Sequence, residues 1–155
     1  MRLSIFAFAL LISACAQDQR GPEPANLCEN QSGCVSASTR DLSAVDGDTF
    51  ELRRLTIDGP ERVRLRLIGW DSPETGNAAN CAAEQALGEK VEARARELFA
   101  AGQTITFRPE RVDQYGRTEA HVYLDGTHIG WLLAGEGLSQ AWQPGQPRPD
   151  WCAGT

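Results

Sequence analysis

The chain has 155 residues, of which 21 are acidic and 15 are basic, and its formal net charge is −6. This length predicts one folded domain with additional segments. The negative charge excludes a protein that holds a polyanion by its overall charge, because such proteins are normally basic. Lys90 is the single lysine, and the arginines that make up the other basic residues fit either a localised phosphate site or a coding bias.

The N-terminal segment is typical of a secretory signal. A short positive start precedes an apolar run over residues 4–13, which is too short to span a bilayer well, and small residues surround Cys15. A buried strand is the alternative interpretation. Cleavage after Ala16 is one processing route, but we favour a bacterial lipoprotein signal over 1–15 that leaves Cys15 lipidated and attached to a membrane. Both routes predict an exported protein, either secreted or a periplasmic or outer-membrane lipoprotein.

The four other cysteines predict two disulfides, since an even number in an exported chain indicates pairing. Three pairings are possible. The preferred one joins Cys28 to Cys34, which are close in sequence, and Cys81 to Cys152, which ties the chain end to a central segment. A zinc site is disfavoured, because the cysteines lack C-x-x-C spacing and both histidines are distant from them in sequence.

Composition divides the rest of the chain into three parts. Residues 16–40 are rich in Gln, Asn, Ser, Gly and Pro and predict a linker. Regular patterns over 41–143 predict the folded domain. Residues 144–155 are rich in Pro and Gly and are interpreted as an irregular C-terminal tail.

The folded domain begins with two strand-like runs around a turn at Asp58 and Gly59. In the second run, Val63, Leu65 and Leu67 alternate with arginines, which predicts a half-buried strand with one apolar and one cationic face.

Apolar residues then recur at helical spacing between residues 83 and 98, so an amphipathic helix is predicted, with Asn80 as its N-cap and Gly102 at its end. A strand that ends at Pro109 follows, then an alternating strand and a short helix. The order of elements predicts a mainly β fold with helices, namely a small closed barrel with a helix at one end.

Two carboxylates, Asp71 and Glu74, lie in the sequence "DSPE" directly after the second strand. One interpretation is a helix capping box with proline inside the first turn. The next six residues, "TGNAAN", include no large apolar residue, so a helix that began here would bury nothing.

A second acidic sequence, "VDGDT" over residues 45–49, precedes the first strand. By itself it fits a turn that enters a strand. An antiparallel neighbour, however, would bring Asp71 beside Asp48, and two adjacent carboxylates favour a cation between them. Oxygen ligands select a hard ion, Ca2+ or Mg2+.

Two arginines complete the candidate site. Arg66 lies on the second strand, and Arg117 ends the sequence "DQYGR". A cation, two guanidinium groups and a spare carboxylate are the set expected for phosphodiester cleavage, in which positive groups offset the charge on phosphorus and the carboxylate takes a proton from water.

The ordered set of "VDGDT", "RLIGWDSPE" and "DQYGR" resembles the staphylococcal nuclease (thermonuclease) family over about residues 41–142. The resemblance implies a five-stranded OB-fold barrel with a central amphipathic helix and a short second helix. It also implies Ca2+ dependence and hydrolysis of phosphodiester bonds in DNA and RNA. A monomer is expected.

The resemblance also assigns roles to residues at the candidate metal site. Asp48 and Asp71 match the family's carboxylate ligands of calcium. Ser72 stands where the family usually has threonine, at a position that ligates through its backbone carbonyl.

Four further residues match the family's catalytic and substrate-binding positions. Arg66 and Arg117 match the two catalytic arginines, and Glu74 matches the carboxylate that orients or deprotonates the attacking water. Tyr115 matches a tyrosine that contacts the bound nucleotide. A second such tyrosine is missing from its usual place, and Trp142 nearby is expected to stack on a base instead.

Two other functions stay open at this point. One is a catalytically inactive OB-fold that serves as a binding module, and the other is a structural lipoprotein of the cell envelope. The nuclease hypothesis is favoured over the inactive module, because burying Asp48, Asp71 and Glu74 together without a cation is costly. A structural lipoprotein would show no nuclease activity.

Overall fold

The computed structural model describes residues 22–30 and 32–153, so the predicted signal segment lies outside the described residues. Helix α1 (Ala82–Ala101) and helix α2 (Ile129–Ala134) accompany the strands. The strands in chain order are β1 (Val35–Ser38), β2 (Leu42–Ala44), β3 (Thr49–Thr56), β4 (Gly59–Leu67), β5 (Trp70–Asp71), β6 (Thr104–Val112), β7 (Thr118–Leu124), β8 (Thr127–His128) and β9 (Gln140–Ala141). Neither helix has the length and apolar character that a membrane crossing requires.

The main sheet curls into a barrel. Its strand order is β1-β6-β7-β4-β3-β2, with β8 beside β7, and β4 pairs with β7 in parallel. The two edge strands, β1 and β2, are consecutive in the chain and are separated only by a 3-10 turn over Thr39–Asp41. One interrupted strand therefore pairs with both ends of the sheet. This confirms the predicted five-stranded OB-fold barrel with two helices.

The folded part begins earlier in the sequence than Asp41. Strand β1 pairs with β6 from Val35 opposite Phe107 to Ser38 opposite Thr104. Its sequence, "VSAS", lies inside the segment interpreted as a linker, and its small and polar residues carry little strand signal. Before it, Cys28 and Cys34 form a disulfide, as expected.

The structure places two element boundaries, the first hairpin turn and the end of β6, at other residues than predicted. Thr56 pairs with Gly59, so the hairpin turn consists of Ile57 and Asp58, one residue earlier than predicted. Strand β6 continues through Pro109, where the sequence predicted its end. Because β1 covers β6 only as far as Phe107, the proline lies where that side of β6 is an edge, and a register shift follows it.

Helix α1 packs against the barrel through Val91, Ala95 and Phe99. The rings of Phe50 and Phe99 meet edge to face, with centroids 5.3 Å apart. The helix ends at Gly102 as predicted. Its N-cap is Cys81 rather than Asn80, because the Cys81 sulfur accepts the N–H of Glu84. The same sulfur is bonded to Cys152, which confirms the second expected pairing.

A buried histidine, His128, joins α2 to the barrel. Its Nδ1 accepts the N–H of Gly130, 3.2 Å away, and caps the helix. Its Nε2 has no hydrogen-bond partner within residues 22–30 and 32–153. The rings of Trp70, His121 and Tyr123 surround it. Burial, with a smaller contribution from His121, lowers the pKa of His128 to about 4.

His128→Asn should make the protein less sensitive to acid. The pKa of His128 is lower when folded than its ordinary value of 6.5. Stability supplied by the neutral ring is therefore complete above about pH 6.5 and is lost as the pH falls towards 4. Asparagine keeps an N-cap acceptor and does not titrate. We expect the wild type to lose up to about 3 kcal/mol relative to the variant between pH 7 and 4.

Urea unfolding of both proteins at several pH values measures this difference. Other groups titrate equally in the two proteins, so the wild type minus variant difference is the readout. Parallel pH profiles would contradict the assignment of an acid-sensitive core to His128.

Candidate active site

The loop before β3 buries Asp48 and brings the preceding residue, Gly47, against α1. A Cβ atom on Gly47 would collide with the Val91 side chain and would lie 2.6 Å from Cβ of Ser72. Glycine is therefore required for this close approach. The Asp46 carboxylate accepts the N–H of Asp48 at 3.0 Å and fixes the loop.

Arg66 joins the two predicted metal ligands. Its Nη1 forms an ion pair with Oδ2 of Asp48, and its Nη2 lies 3.9 Å from Oδ1 of Asp71. The N–H of Ser72 donates to Oδ2 of Asp48 at 3.3 Å. All four side chains are buried. The structure thus brings these predicted residues together, and it buries Arg66 although the alternating pattern predicted a cationic face for this strand.

The environment of the carboxylates fits a hard cation. Burial raises the pKa of Asp48 to about 8 against the opposing effect of Arg66, and Asp46 and Glu74 add to the rise. Oδ1 of Asp71 is buried and accepts no hydrogen bond from any residue that the structure describes. A carboxylate oxygen that is withdrawn from water and accepts no hydrogen bond, as is the case for Oδ1 of Asp71, is a suitable ligand for Ca2+.

Glu74 follows Asp71 on a loop that α1 supports. No helix begins at Asp71, since α1 starts at Ala82, so the capping-box interpretation is wrong. A Cβ atom on Gly88 would collide with the Glu74 carbonyl oxygen, so the loop lies directly on the helix. Burial, followed by the charge of Asp46, raises the pKa of the half-buried Glu74.

Glu84 holds this loop in place, a role that no sequence pattern predicted. It is buried in the first turn of α1. Its Oε1 accepts the N–H of Glu74 at 3.3 Å, and its Oε2 accepts the backbone and side-chain N–H groups of Asn80 at 2.7 and 2.9 Å. Burial acts to raise the pKa of Glu84, but these hydrogen bonds outweigh it and lower the pKa.

The turn between β6 and β7 carries Tyr115 and Arg117. Oδ1 of Asp113 accepts the N–H groups of both residues at 2.9 Å, and its Oδ2 pairs with Nε of Arg117 at 2.8 Å. Gly116 has a φ of 76°, which favours glycine. The Arg117 guanidinium lies 5.4 Å from the centre of the Tyr115 ring.

Arg66 and Arg117 line one cleft of about 710 Å³. Tyr115 and Trp142 also line it, so the predicted phosphate and base contacts share one surface. Arg148 lines the same cleft, although it belongs to the segment interpreted as an irregular tail.

The tail reaches the carboxylates themselves. Nη1 of Arg148 lies 3.3 Å from Oδ1 of Asp71 and 3.2 Å from Oε1 of Glu74. The indole N–H of Trp151 donates to Oδ2 of Asp71 at 2.9 Å. No sequence pattern predicted a role for Arg148 or Trp151. The only signal was the expected Cys81–Cys152 disulfide, which requires the tail to return to the domain.

Comparison with known proteins identifies the family to which the chain belongs. A family model described as "Staphylococcal nuclease homologue" matches residues 64–150, more than half of the chain. The chain belongs to the staphylococcal nuclease homologue family. The match contains Arg66, Asp71, Glu74 and Arg117, and it ends just before Trp151.

Three curated proteins are similar to part of the chain. The SPbeta prophage-derived endonuclease YokF of Bacillus subtilis (strain 168) is 39% identical over 100 residues, 63% of this chain and 31% of that protein. Endonuclease YncB of the same organism is 34% identical over 99 residues, 63% of this chain and 44% of that protein. A thermonuclease of Staphylococcus hyicus is 32% identical over 100 residues, 64% and 56% of the two chains. The match thus spans about a third to just over half the length of these relatives.

Glu84→Gln should destabilise the protein by about 2 kcal/mol. An amide has one oxygen, so it cannot accept the hydrogen bonds of both Asn80 and Glu74, and one buried N–H donor loses its partner. The free energy of unfolding in urea measures the loss. Glu89→Gln is the matched control on an exposed position of the same helix, with an expected change within about 0.5 kcal/mol. Equal stability of both variants would show that Glu84 does not hold the loop.

Proposed function

We propose that this protein is an exported, Ca2+-dependent nuclease that hydrolyses phosphodiester bonds of DNA, RNA or both. The observation that carries the proposal is the meeting of Asp48 and Asp71 at Arg66 in a chain of the staphylococcal nuclease family. The named functions of the relatives, two endonucleases and a thermonuclease, support hydrolysis of nucleic acid.

Asp48 and Asp71 would hold the Ca2+ ion through their carboxylates, and Ser72 through its backbone carbonyl. Bound there, the ion would offset negative charge on the phosphate. The donor set consists of oxygen atoms, which suits Ca2+. Burial of all three residues keeps the site shielded from competing water.

Two arginines and one carboxylate act on the substrate. Arg66 and Arg117 bind the phosphate and stabilise the charge that grows on its oxygens during attack. Glu74 accepts a proton from the attacking water as the water oxygen bonds to phosphorus. The bond from phosphorus to the leaving oxygen breaks, and that oxygen takes a proton from solvent, which gives a phosphate monoester and a free hydroxyl group.

The cleft supplies contacts to the rest of the strand. Tyr115 is exposed and Trp142 is partly exposed on the same surface, where each offers a ring for a base to stack on. Binding relies on local arginines because the whole chain is acidic.

Export is supported by two lines of reasoning. The disulfides Cys28–Cys34 and Cys81–Cys152 suit an oxidising compartment. The N-terminal segment is typical of a signal, with attachment through lipidated Cys15 as the favoured route. The protein then acts as a monomer, either as a periplasmic or outer-membrane lipoprotein or after secretion.

Glu74→Gln should lower the rate of nucleic acid hydrolysis by about 100-fold to 10,000-fold, because the amide cannot accept the proton of the attacking water. A gel assay on single-stranded and double-stranded DNA and RNA, with Ca2+ and with chelator, measures the rate. Glu89→Gln should cleave like the wild type. An unchanged rate in Glu74→Gln removes this residue from the mechanism, and cleavage by the wild type in chelator removes the ion.

Asp48→Asn should weaken Ca2+ binding by more than about 10-fold, since even the partners of metal ligands typically contribute that much. Calorimetric titration of the metal-free protein gives the affinity directly. Asp58→Asn, at the hairpin turn, is the matched control. If both variants bind Ca2+ like the wild type, Asp48 is not a ligand.

A further inference from the structure

The end of the chain, residues 142–152, forms a strap that is fixed on both sides of Asp71. On one side, β9 pairs with β5, with Gln140 opposite Asp71. Next to it, the Ser139 hydroxyl donates to the Asp71 carbonyl oxygen at 3.0 Å, and the N–H of Trp142 donates to the Gly69 carbonyl oxygen at 2.9 Å. The strap therefore begins beside the predicted metal ligand.

On the other side, a covalent bond fixes the strap. A disulfide joins Cys152 to Cys81, which lies 71 positions earlier in the sequence and is the N-cap residue of α1. Helix α1 also carries Glu84, which holds the Glu74 loop. The disulfide thus connects the strap to the element that positions the proposed general base.

Between these two attachments, Trp151 contacts the Asp71 carboxylate. Its Nε1–H donates to Oδ2 at 2.9 Å. The indole nitrogen is a donor only, so it can pair with a carboxylate oxygen but cannot replace it as a metal ligand. Oδ1 of the same carboxylate is left without a hydrogen bond from the described part of the chain. The contact distinguishes the two oxygens. Oδ2 accepts the indole hydrogen bond, whereas Oδ1 faces the guanidinium groups of Arg66 and Arg148, 3.9 and 3.3 Å away, and is the oxygen that a metal cation would contact.

We propose that Trp151 is a positioning residue that orients Asp71 for Ca2+, and that the Cys81–Cys152 disulfide keeps it there. The inference rests on the proposed calcium site. Hydrogen bonds to the ligands of a metal fix their orientation, and losing one typically lowers metal affinity by about 10-fold to 100-fold. Without the disulfide, the strap is free to move, and ordering it against Asp71 costs conformational entropy. In the cross-linked chain the strap is already restrained, so this cost is smaller.

A substitution at Arg148 distinguishes the orienting role of Trp151 from a general effect of the strap on the fold. Its guanidinium lies 3.3 Å from Oδ1 of Asp71 and so repels a cation that approaches that oxygen. Arg148→Gln changes the same strap but should leave Ca2+ binding equal or tighter. A loss of affinity in both strap variants would mean that the strap supports the fold rather than the ligand, and would overturn the role of Trp151.

Trp151→Phe is the direct test, because phenylalanine keeps an aromatic ring and removes the N–H donor. Calorimetric titration of the metal-free full chain with CaCl2, without nucleic acid, should show affinity reduced by about 10-fold to 100-fold. Saturating Ca2+ should restore most of the hydrolysis rate. Trp131→Phe on α2 is the matched control and should bind Ca2+ like the wild type. Unchanged affinity in Trp151→Phe overturns the proposal.

The disulfide has its own test, which also serves if Trp151→Phe does not fold. Cys81→Ser with Cys152→Ser should lower Ca2+ affinity, whereas Cys28→Ser with Cys34→Ser should not, since that disulfide lies before β1. Equal affinity in both double variants overturns the part assigned to the Cys81–Cys152 bond. A wild type that neither binds Ca2+ nor cleaves nucleic acid overturns the proposed function itself. A wild type that does both, beside variants that bind equally well, overturns the strap inference alone.

Discussion

The buried ion pair between Arg66 and Asp48, with Asp71 on the other side of the guanidinium, is the constraint on which the site depends. Charged groups withdrawn from water are costly unless they are paired, so these three side chains must stay in one arrangement. The barrel supplies that arrangement. Arg66 lies on β4, opposite Thr49 of β3 on one side and opposite Glu119 of β7 on the other. Thr49 is the residue that follows Asp48. The strand pairing that closes the sheet therefore also brings the residues of the acidic site together.

The fold and the centre of the site could be predicted from the sequence because their signals are local. Alternation of apolar residues identified β4 and β7, and helical spacing identified α1. Asp48 and Asp71 flank a hairpin, so antiparallel pairing alone brings them near each other. The predictions that were wrong concern the ends of helices and strands. Cys81 caps α1 with a sulfur atom, and Pro109 is tolerated where β6 has an edge; neither circumstance is visible before the neighbours are known.

The supporting residues could not be predicted because their partners are distant in sequence. Trp151 reaches Asp71 across 80 positions, and Arg148 reaches Glu74 across 74. The tail that carries them has no periodicity, and its prolines and glycines are typical of an irregular end. Glu84 resembles an ordinary acidic residue of a first helical turn, and only its burial reveals the loop that it holds. Such residues are recognised by what they contact rather than by type or spacing.

The position of Cys81 makes the strap dependent on the redox state of the compartment. Its sulfur atom both caps α1 and bonds to Cys152, so the bond that completes the strap can form only where thiols are oxidised. Under the strap proposal, a newly made chain in a reducing cytosol has a poorly oriented Asp71 and binds calcium weakly. Under the proposed export, the nucleic acids inside the cell would then be spared until the protein has left the compartment that contains them.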